Sequence, residues 1–284
     1  MLPFFLKKMT KIIAHRGARS IAPENTVAAA EIARMIGADL WETDISVTRD
    51  GHLVLFHDDD LLRTTNAKFL FPYNKSFLLD TFDLAQIQKL DIGRTFIERD
   101  PFNEIALGNI SLELLHSFRG IKIPTLEDAL IYTQKNNFPV NLELKEQSGK
   151  FRAFPLPKAV ANMINKMRIN YKLLIISSFK HEWLEEIKDI LPDIEVQALL
   201  GDDVNQKIDW DKFCSADNNN LLQKFDTYNI NSQMITIDEI AKLKKIGKKV
   251  NIFTVNDKDD MVRFIKAGVD GIFTDYPQVM KQVR

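Results

Sequence analysis

His15, Glu42, Asp44, His57, Glu143 and Lys145 are the residues of this chain whose types and spacing could do chemistry together. His15 closes the apolar run Ile12-Ile13-Ala14 and opens Arg16-Gly17, while Glu42 and Asp44 sit two apart in Leu40-Trp41-Glu42-Thr43-Asp44-Ile45. Glu143 and Lys145 end the run Val140-Asn141-Leu142-Glu143-Leu144-Lys145. In an extended strand alternate side chains share a face, so Glu42 falls with Asp44, and Glu143 with Lys145. Three carboxylates with room for water suit a hard divalent cation, Mg²⁺ or Ca²⁺, and the lack of further His or Cys ligands argues against structural zinc. Imidazole titrates at about pH 6.5, so His15 and His57 beside such a site can serve as general base and general acid near neutrality. Arg16, able to grip two oxygens, and Lys145, a point charge, are natural partners for a phosphoryl group. The bland alternative is an ion-pair network, with Arg16 on Glu24 and Lys145 on Glu143 or Glu146. Two acids at i and i+2 beside two strand-end histidines favour the chemical reading.

Positioning these groups needs parallel strands, and the sequence offers them. Eight segments read as buried strands, near residues 11–15, 39–45, 139–145, 172–178, 194–199, 226–231, 248–254 and 270–274. Helix-patterned stretches separate most of them: 26–36, preceded by Pro23 and Asn25 and stopped by Gly37, then 125–136, 157–168, 181–190, 236–246 and 257–267. Eight strand–helix units imply a closed (β/α)₈ TIM barrel, whose active site lies at the carboxyl ends of the strands. The chain is expected to form one catalytic barrel domain over residues 1–284, with a hairpin and an insertion after the second strand at about 46–123. Within the hairpin, Ile45 to Thr48 and Leu53 to Phe56 flank Asp50-Gly51. With Asp50-Gly51 as a two-residue loop, Arg49 faces His52 and Asp44 faces His57, Cβ atoms about 5 Å apart. His52, in the turn, reads as solvated, and His116 and His181 carry no motif. The insertion holds one amphipathic piece (Leu84, Ile87, Leu90) among loop-like stretches, and excursions of this length are usually lids or binding loops.

Length and composition agree with a barrel enzyme of small molecules. The 284 residues are 45% hydrophobic and 27% charged, with a net charge of −1 and no block of Lys or Arg, which leaves nucleic acid without an electrostatic footprint. Cys214 is the only cysteine, so no intrachain disulfide forms, as in a reducing compartment. Leu2 to Leu6 is too short for a signal-peptide core and is followed rather than preceded by Lys7-Lys8; Met9 offers an alternative start. With no run long enough to span a membrane, the expected location is the cytoplasm. Asn218-Asn219-Asn220 reads as a local loop.

Ala14-His15-Arg16-Gly17, Ala22-Pro23-Glu24-Asn25-Thr26, Glu42-Thr43-Asp44, Asp50-Gly51, His57-Asp58, Arg63-Thr64-Thr65, Pro124-Thr125-Leu126, Leu142-Glu143-Leu144-Lys145, Ser177-Ser178-Phe179, Phe253-Thr254-Val255-Asn256 and Gly271-Ile272-Phe273-Thr274-Asp275 run in order along the chain. Together they resemble the glycerophosphodiester phosphodiesterases, most closely the compact cytoplasmic bacterial form. The resemblance implies a TIM barrel that hydrolyses deacylated phospholipids to sn-glycerol 3-phosphate and an alcohol. It also implies that Glu42, Asp44 and Glu143 hold the divalent metal, that His15 and His57 form the acid/base pair, and that Arg16 and Lys145 bind phosphoryl oxygens. Phe253 stands where many family members carry Trp, which makes it a candidate substrate contact whose detail does not transfer. The segments 67–80 and 97–121 also depart from the compact form, so leaving-group preference does not transfer either.

Two other functions compete. A phospholipase D acting on lysophospholipids would use Phe69, Phe71, Phe77 and Phe82 to hold an acyl chain, although these residues are better explained as anchors of the insertion. A noncatalytic polyol-phosphate-binding protein would have no need of two proton-transfer groups. For the favoured reaction, a substrate hydroxyl beside phosphorus competes well with water as nucleophile, so a cyclic phosphate intermediate is expected.

Overall fold

Every expected strand segment carries one of eight parallel strands, and these close on themselves. The computed structural model describes residues 9–147, 152–201, 208–214 and 224–284; the stretch from Leu2 to Leu6 and the Asn218–Asn220 loop lie outside them. The strands are β1 (Lys11–Ala14), β2 (Leu40–Val47), β4 (Val140–Leu144), β5 (Leu174–Ser178), β6 (Glu195–Leu200), β7 (Thr227–Asn231), β8 (Lys249–Phe253) and β9 (Gly271–Thr274). Neighbours pair in the order β1-β9-β8-β7-β6-β5-β4-β2, and β1 closes the ring against β2. β2 is buried at all of its positions, as a strand covered on both faces must be. Barrel helices α1 (Val27–Ile36), α6 (Leu126–Asn136), α7 (Leu156–Met167), α8 (His181–Ile190), α10 (Ile237–Lys245), α11 (Lys258–Ala267) and α12 (Pro277–Val283), with the short α9 (Trp210–Cys214), pack outside. Their starts follow from capping chemistry: Thr26 accepts the Ala29 amide, and Thr125 and Thr236 form reciprocal caps with Asp128 and Glu239.

The hairpin is the place where the structure departs from expectation. β2 pairs antiparallel with β3 (Leu53–Leu55), placing Ile45 opposite Leu55 and Val47 opposite Leu53. Asp44 therefore lies across from Phe56, whose amide donates to the Asp44 carbonyl at 3.1 Å, and not from His57. The cause is a three-residue loop. Gly51, at φ +80°, donates to the Thr48 carbonyl at 2.9 Å, and Thr48 in turn donates to the His52 carbonyl at 3.0 Å, so Thr48 rather than Arg49 faces His52. A turn followed by a left-handed glycine adds one residue to the loop and moves the register by one.

The insertion comprises α2 (Ala67–Leu70), α3 (Leu84–Ile87), α4 (Ile92–Arg99) and α5 (Leu112–Phe118). Ile87 and Leu90, from the amphipathic piece, are fully buried with Val54, Phe56, Leu61, Leu79 and Phe82. Phe71 and Phe77 pack on Phe82 with ring centroids 5.4 and 6.5 Å away, so these three anchor the insertion, while Phe69 is 78% exposed.

Candidate active site

The carboxyl ends of β1, β2, β4, β5, β6, β7 and β8 open onto a cleft lined by His15, Arg16, Glu42, Asp44, His57, Glu143, Lys145 and Phe253, among others. All eight side chains singled out in the sequence thus meet on one surface. One carboxylate oxygen from each of Glu42, Asp44 and Glu143 lies within 4.8 Å of the other two. Burial pushes Glu42 well above the usual carboxylate range, and the nearby charges of Asp44 and Glu143 add to it. Glu143 is pushed up to about 8 by burial and by Asp44. Burial also works against ionised Asp44, but Arg16, His57, Lys145 and a hydrogen bond from Asn25 outweigh it and hold this carboxyl low. Glu42 accepts the Arg16 amide at 2.8 Å through Oε2, while its buried Oε1 has no hydrogen-bond partner. Two buried acids and a half-buried third that repel one another, with one orphaned oxygen among them, are a set of oxygens that could hold a hard divalent cation.

The loop after β1 brings His15 and Arg16 to this trio. Arg16 takes φ +56° and Gly17 φ +80°, so the chain doubles back and the Gly17 amide reaches the Ala14 carbonyl at 3.0 Å. A Cβ on Gly17 would lie 2.5 Å from the Ala29 Cβ of α1. Gly17→Ala is expected to destabilise the fold by about 2–4 kcal/mol, from the wrong φ and the overpacking, read as a lowered urea midpoint at unchanged m-value.

Both histidines are held by carboxylates. His15 Nδ1 lies 2.6 Å from Asp275 Oδ1, and His57 Nδ1 lies 2.7 Å from Asp58 Oδ1. Burial and the adjacent Arg16 charge lower the His15 pKa against the pull of Asp275. Lys145 Nζ donates to the His57 carbonyl at 2.9 Å, tying β4 to the chain beyond the hairpin, which keeps His57 at the cleft despite the shifted register. The ion-pair alternative holds in part. Arg16 is 2.9 Å from Glu24 and 3.3 Å from Asp44, whereas Glu146 is taken by Lys180 at 2.8 Å and not by Lys145. Phe253 sits edge-on to Phe179 and Phe273, with centroids 6.0 and 6.3 Å away.

Of the residues behind this surface, sequence reasoning placed Glu24 only as an ion-pair partner of Arg16 and Asn25 only as helix punctuation, and gave the others no role. Asn25 donates to Asp44 Oδ2 at 2.9 Å and accepts from the Thr43 hydroxyl at 2.7 Å, orienting the second acid of the trio. Asp58, Arg63, Glu24, Arg19 and Asp275 form the outer contacts of the histidines. Apart from Arg19, all of them stand in the segments that carry the family resemblance, but nothing in the sequence shows which of them touch.

A family model described as the glycerophosphoryl diester phosphodiesterase family matches residues 15–279. The chain belongs to that family, and it is an enzyme. The glycerophosphodiester phosphodiesterase of Caldanaerobacter subterraneus subsp. tengcongensis is 33% identical over 273 residues, covering 95% of this chain and 96% of the relative. One from Bacillus altitudinis is 30% identical, covering 97% and 98%. Among solved structures, an Oleispira antarctica phosphodiesterase in complex with the product sn-glycerol-3-phosphate superposes with a TM-score of 0.74 at 25% identity, covering 97% of this chain and 96% of that one. Family membership removes the noncatalytic binding protein from consideration.

Proposed function

We propose that this phosphodiesterase hydrolyses glycerophosphodiesters to sn-glycerol 3-phosphate and an alcohol, with the whole chain serving as one catalytic unit and a divalent cation, Mg²⁺ or Ca²⁺, held by Glu42, Asp44 and Glu143. The observation that carries this reading is one cleft in which the three converging acids stand beside two carboxylate-anchored histidines. When bound, the cation neutralises phosphoryl charge and acts as a Lewis acid. Arg16 and Lys145 flank the same space and hold the phosphoryl oxygens. His15, kept neutral by burial and by Arg16, takes the proton of the substrate 2-hydroxyl as that oxygen attacks phosphorus. His57 protonates the departing alcohol. Water then opens the resulting cyclic phosphate, with the two histidines exchanging roles.

The test is a hydrolysis screen of glycerophosphocholine, glycerophosphoethanolamine and a lysophosphatidylcholine, with and without chelator. Glycerol 3-phosphate release that chelator stops and Mg²⁺ or Ca²⁺ restores is the expected result; full turnover by rigorously metal-free protein would sink the ligand assignment. The lysophospholipid arm has its own motive, though not Phe69, Phe71, Phe77 or Phe82. A cavity of about 250 Å³ lies against His57, its lining made of the apolar Leu55, Phe56, Ile92 and Phe96 together with the charged Arg19, Glu24, Arg63 and Arg99. Its apolar part is large enough to take a short hydrocarbon, as engineered apolar cavities of about 150 Å³ take benzene.

A further inference from the structure

Two contacts described above, His15 to Asp275 and His57 to Asp58, continue into a single chain of ion pairs. Arg63 uses both edges of its guanidinium: Nε and one terminal nitrogen reach Asp58 at 2.5 and 3.0 Å, and the terminal nitrogens reach Glu24 at 2.9 and 2.6 Å. Glu24 also accepts Arg16 at 2.9 Å and Arg19 at 2.8 Å, and Arg19 stands 3.5 Å from Asp275 Oδ1. Asn256 closes the far end, donating to Asp275 Oδ2 at 2.8 Å and accepting the Asp275 amide at 2.9 Å. Glu24 thus receives four guanidinium hydrogen bonds, two on each oxygen, which fills the acceptor sites of a carboxylate. It has no capacity left for a metal or a substrate. The three arginines hold its pKa well below the usual range against the effect of burial.

We propose that Asp275 and Asp58 are positioning residues for His15 and His57, and that Glu24, through Arg19 and Arg63, joins them into one ionic array that holds both imidazoles with Nε2 toward the substrate. The proposal rests on the proton-transfer roles assigned above. An ionised carboxylate only accepts, so each Nδ1 carries the hydrogen and each Nε2 is left to exchange protons. Two separate histidines need two separate supports. Here the supports share a hub, so loosening the hub loosens both.

The test uses the whole chain and reads tautomers as well as turnover. With only five histidines, imidazole ¹⁵N spectra resolve each ring. In the unaltered protein both His15 and His57 are expected to carry hydrogen on Nδ1, His15 with Nε2 free as the first base and His57 carrying a second hydrogen on Nε2 when it acts as the acid. Asp275→Asn should shift His15 alone, Asp58→Asn should shift His57 alone, and Glu24→Gln should disturb both. Each Asn variant should lower kcat by roughly 10² to 10⁴ with KM within about threefold, the pattern of a histidine left in the wrong tautomer. Arg63→Lys keeps the charge but loses the fork to Asp58 and Glu24, so it should disturb His57 and lower kcat. The spectra need no substrate, so a protein without the proposed activity would still report its tautomers. Asp58 and Arg63 have side chains 21% and 42% exposed, so their variants decide the matter even where Asp275→Asn does not fold. Unchanged tautomers, near-normal kcat in Asp58→Asn, or full activity in Arg63→Lys would overturn the proposal.

Discussion

A glycerophosphodiester lacking only its 2-hydroxyl is expected to bind with modest loss and to turn over slower by roughly 10³ to 10⁶, the ratio of effective molarities of about 10⁵–10⁸ M for a well-oriented internal nucleophile to about 55 M water. On the proposed mechanism Arg16 and Lys145, which line the cleft, hold the phosphoryl group, and His15, whose pKa burial and Arg16 lower, takes the hydroxyl proton. The same experiment should trap a small amount of cyclic glycerol phosphate from the unmodified substrate. A deoxy analogue with comparable kcat would mean that water attacks directly, and the histidines would then act on water in a single step.

The second large effect concerns the histidines themselves. His15→Ala and His57→Ala are each expected to lower kcat by roughly 10² to 10⁴, the usual worth of general acid–base catalysis, with little change in substrate affinity. Thermal unfolding should be little changed in His57→Ala, whose side chain is 32% exposed, and lowered in His15→Ala, which strips buried Asp275 of its partner. His52→Ala is the control, since that side chain is 54% exposed at the hairpin turn. Wild-type kcat in either test variant would make that histidine structural.

Much of this architecture was legible because a barrel strand buried on both faces must be short, apolar and bounded, and all eight such segments stood out, as did the acids and histidines at their ends. The hairpin register was not legible. Asp50-Gly51 can be an entire two-residue loop or the end of a three-residue one, and the choice lies in whether Gly51 pairs back to Thr48, which local sequence does not dictate. The insertion was legible only as an interruption with one amphipathic piece, Leu84, Ile87 and Leu90, which is α3 and the turn after it. Its first two helices are four residues long, little more than one turn, so a helical period scarcely repeats within them. The array behind the histidines was hidden for a different reason: Asp275 meets His15 across 260 residues of chain, and Arg63 meets Glu24 across 39. Charged residues near a motif are common, and only the closed ring shows which of them touch.

That long-range contact also sets when the enzyme can come into being. β1 finds its β9 neighbour only through pairs such as Ala14 with Thr274. During synthesis, at about 5–20 residues per second, a chain that already holds the metal-site acids, both histidines and Lys145 still has an open seam beside His15 for seconds or more. Until Asp275 emerges, the His15 imidazole has no carboxylate to face and is free to turn. On the proposed mechanism a nascent chain on the ribosome therefore carries the reactive groups without the last brace that aligns them, and hydrolysis is expected only after barrel closure.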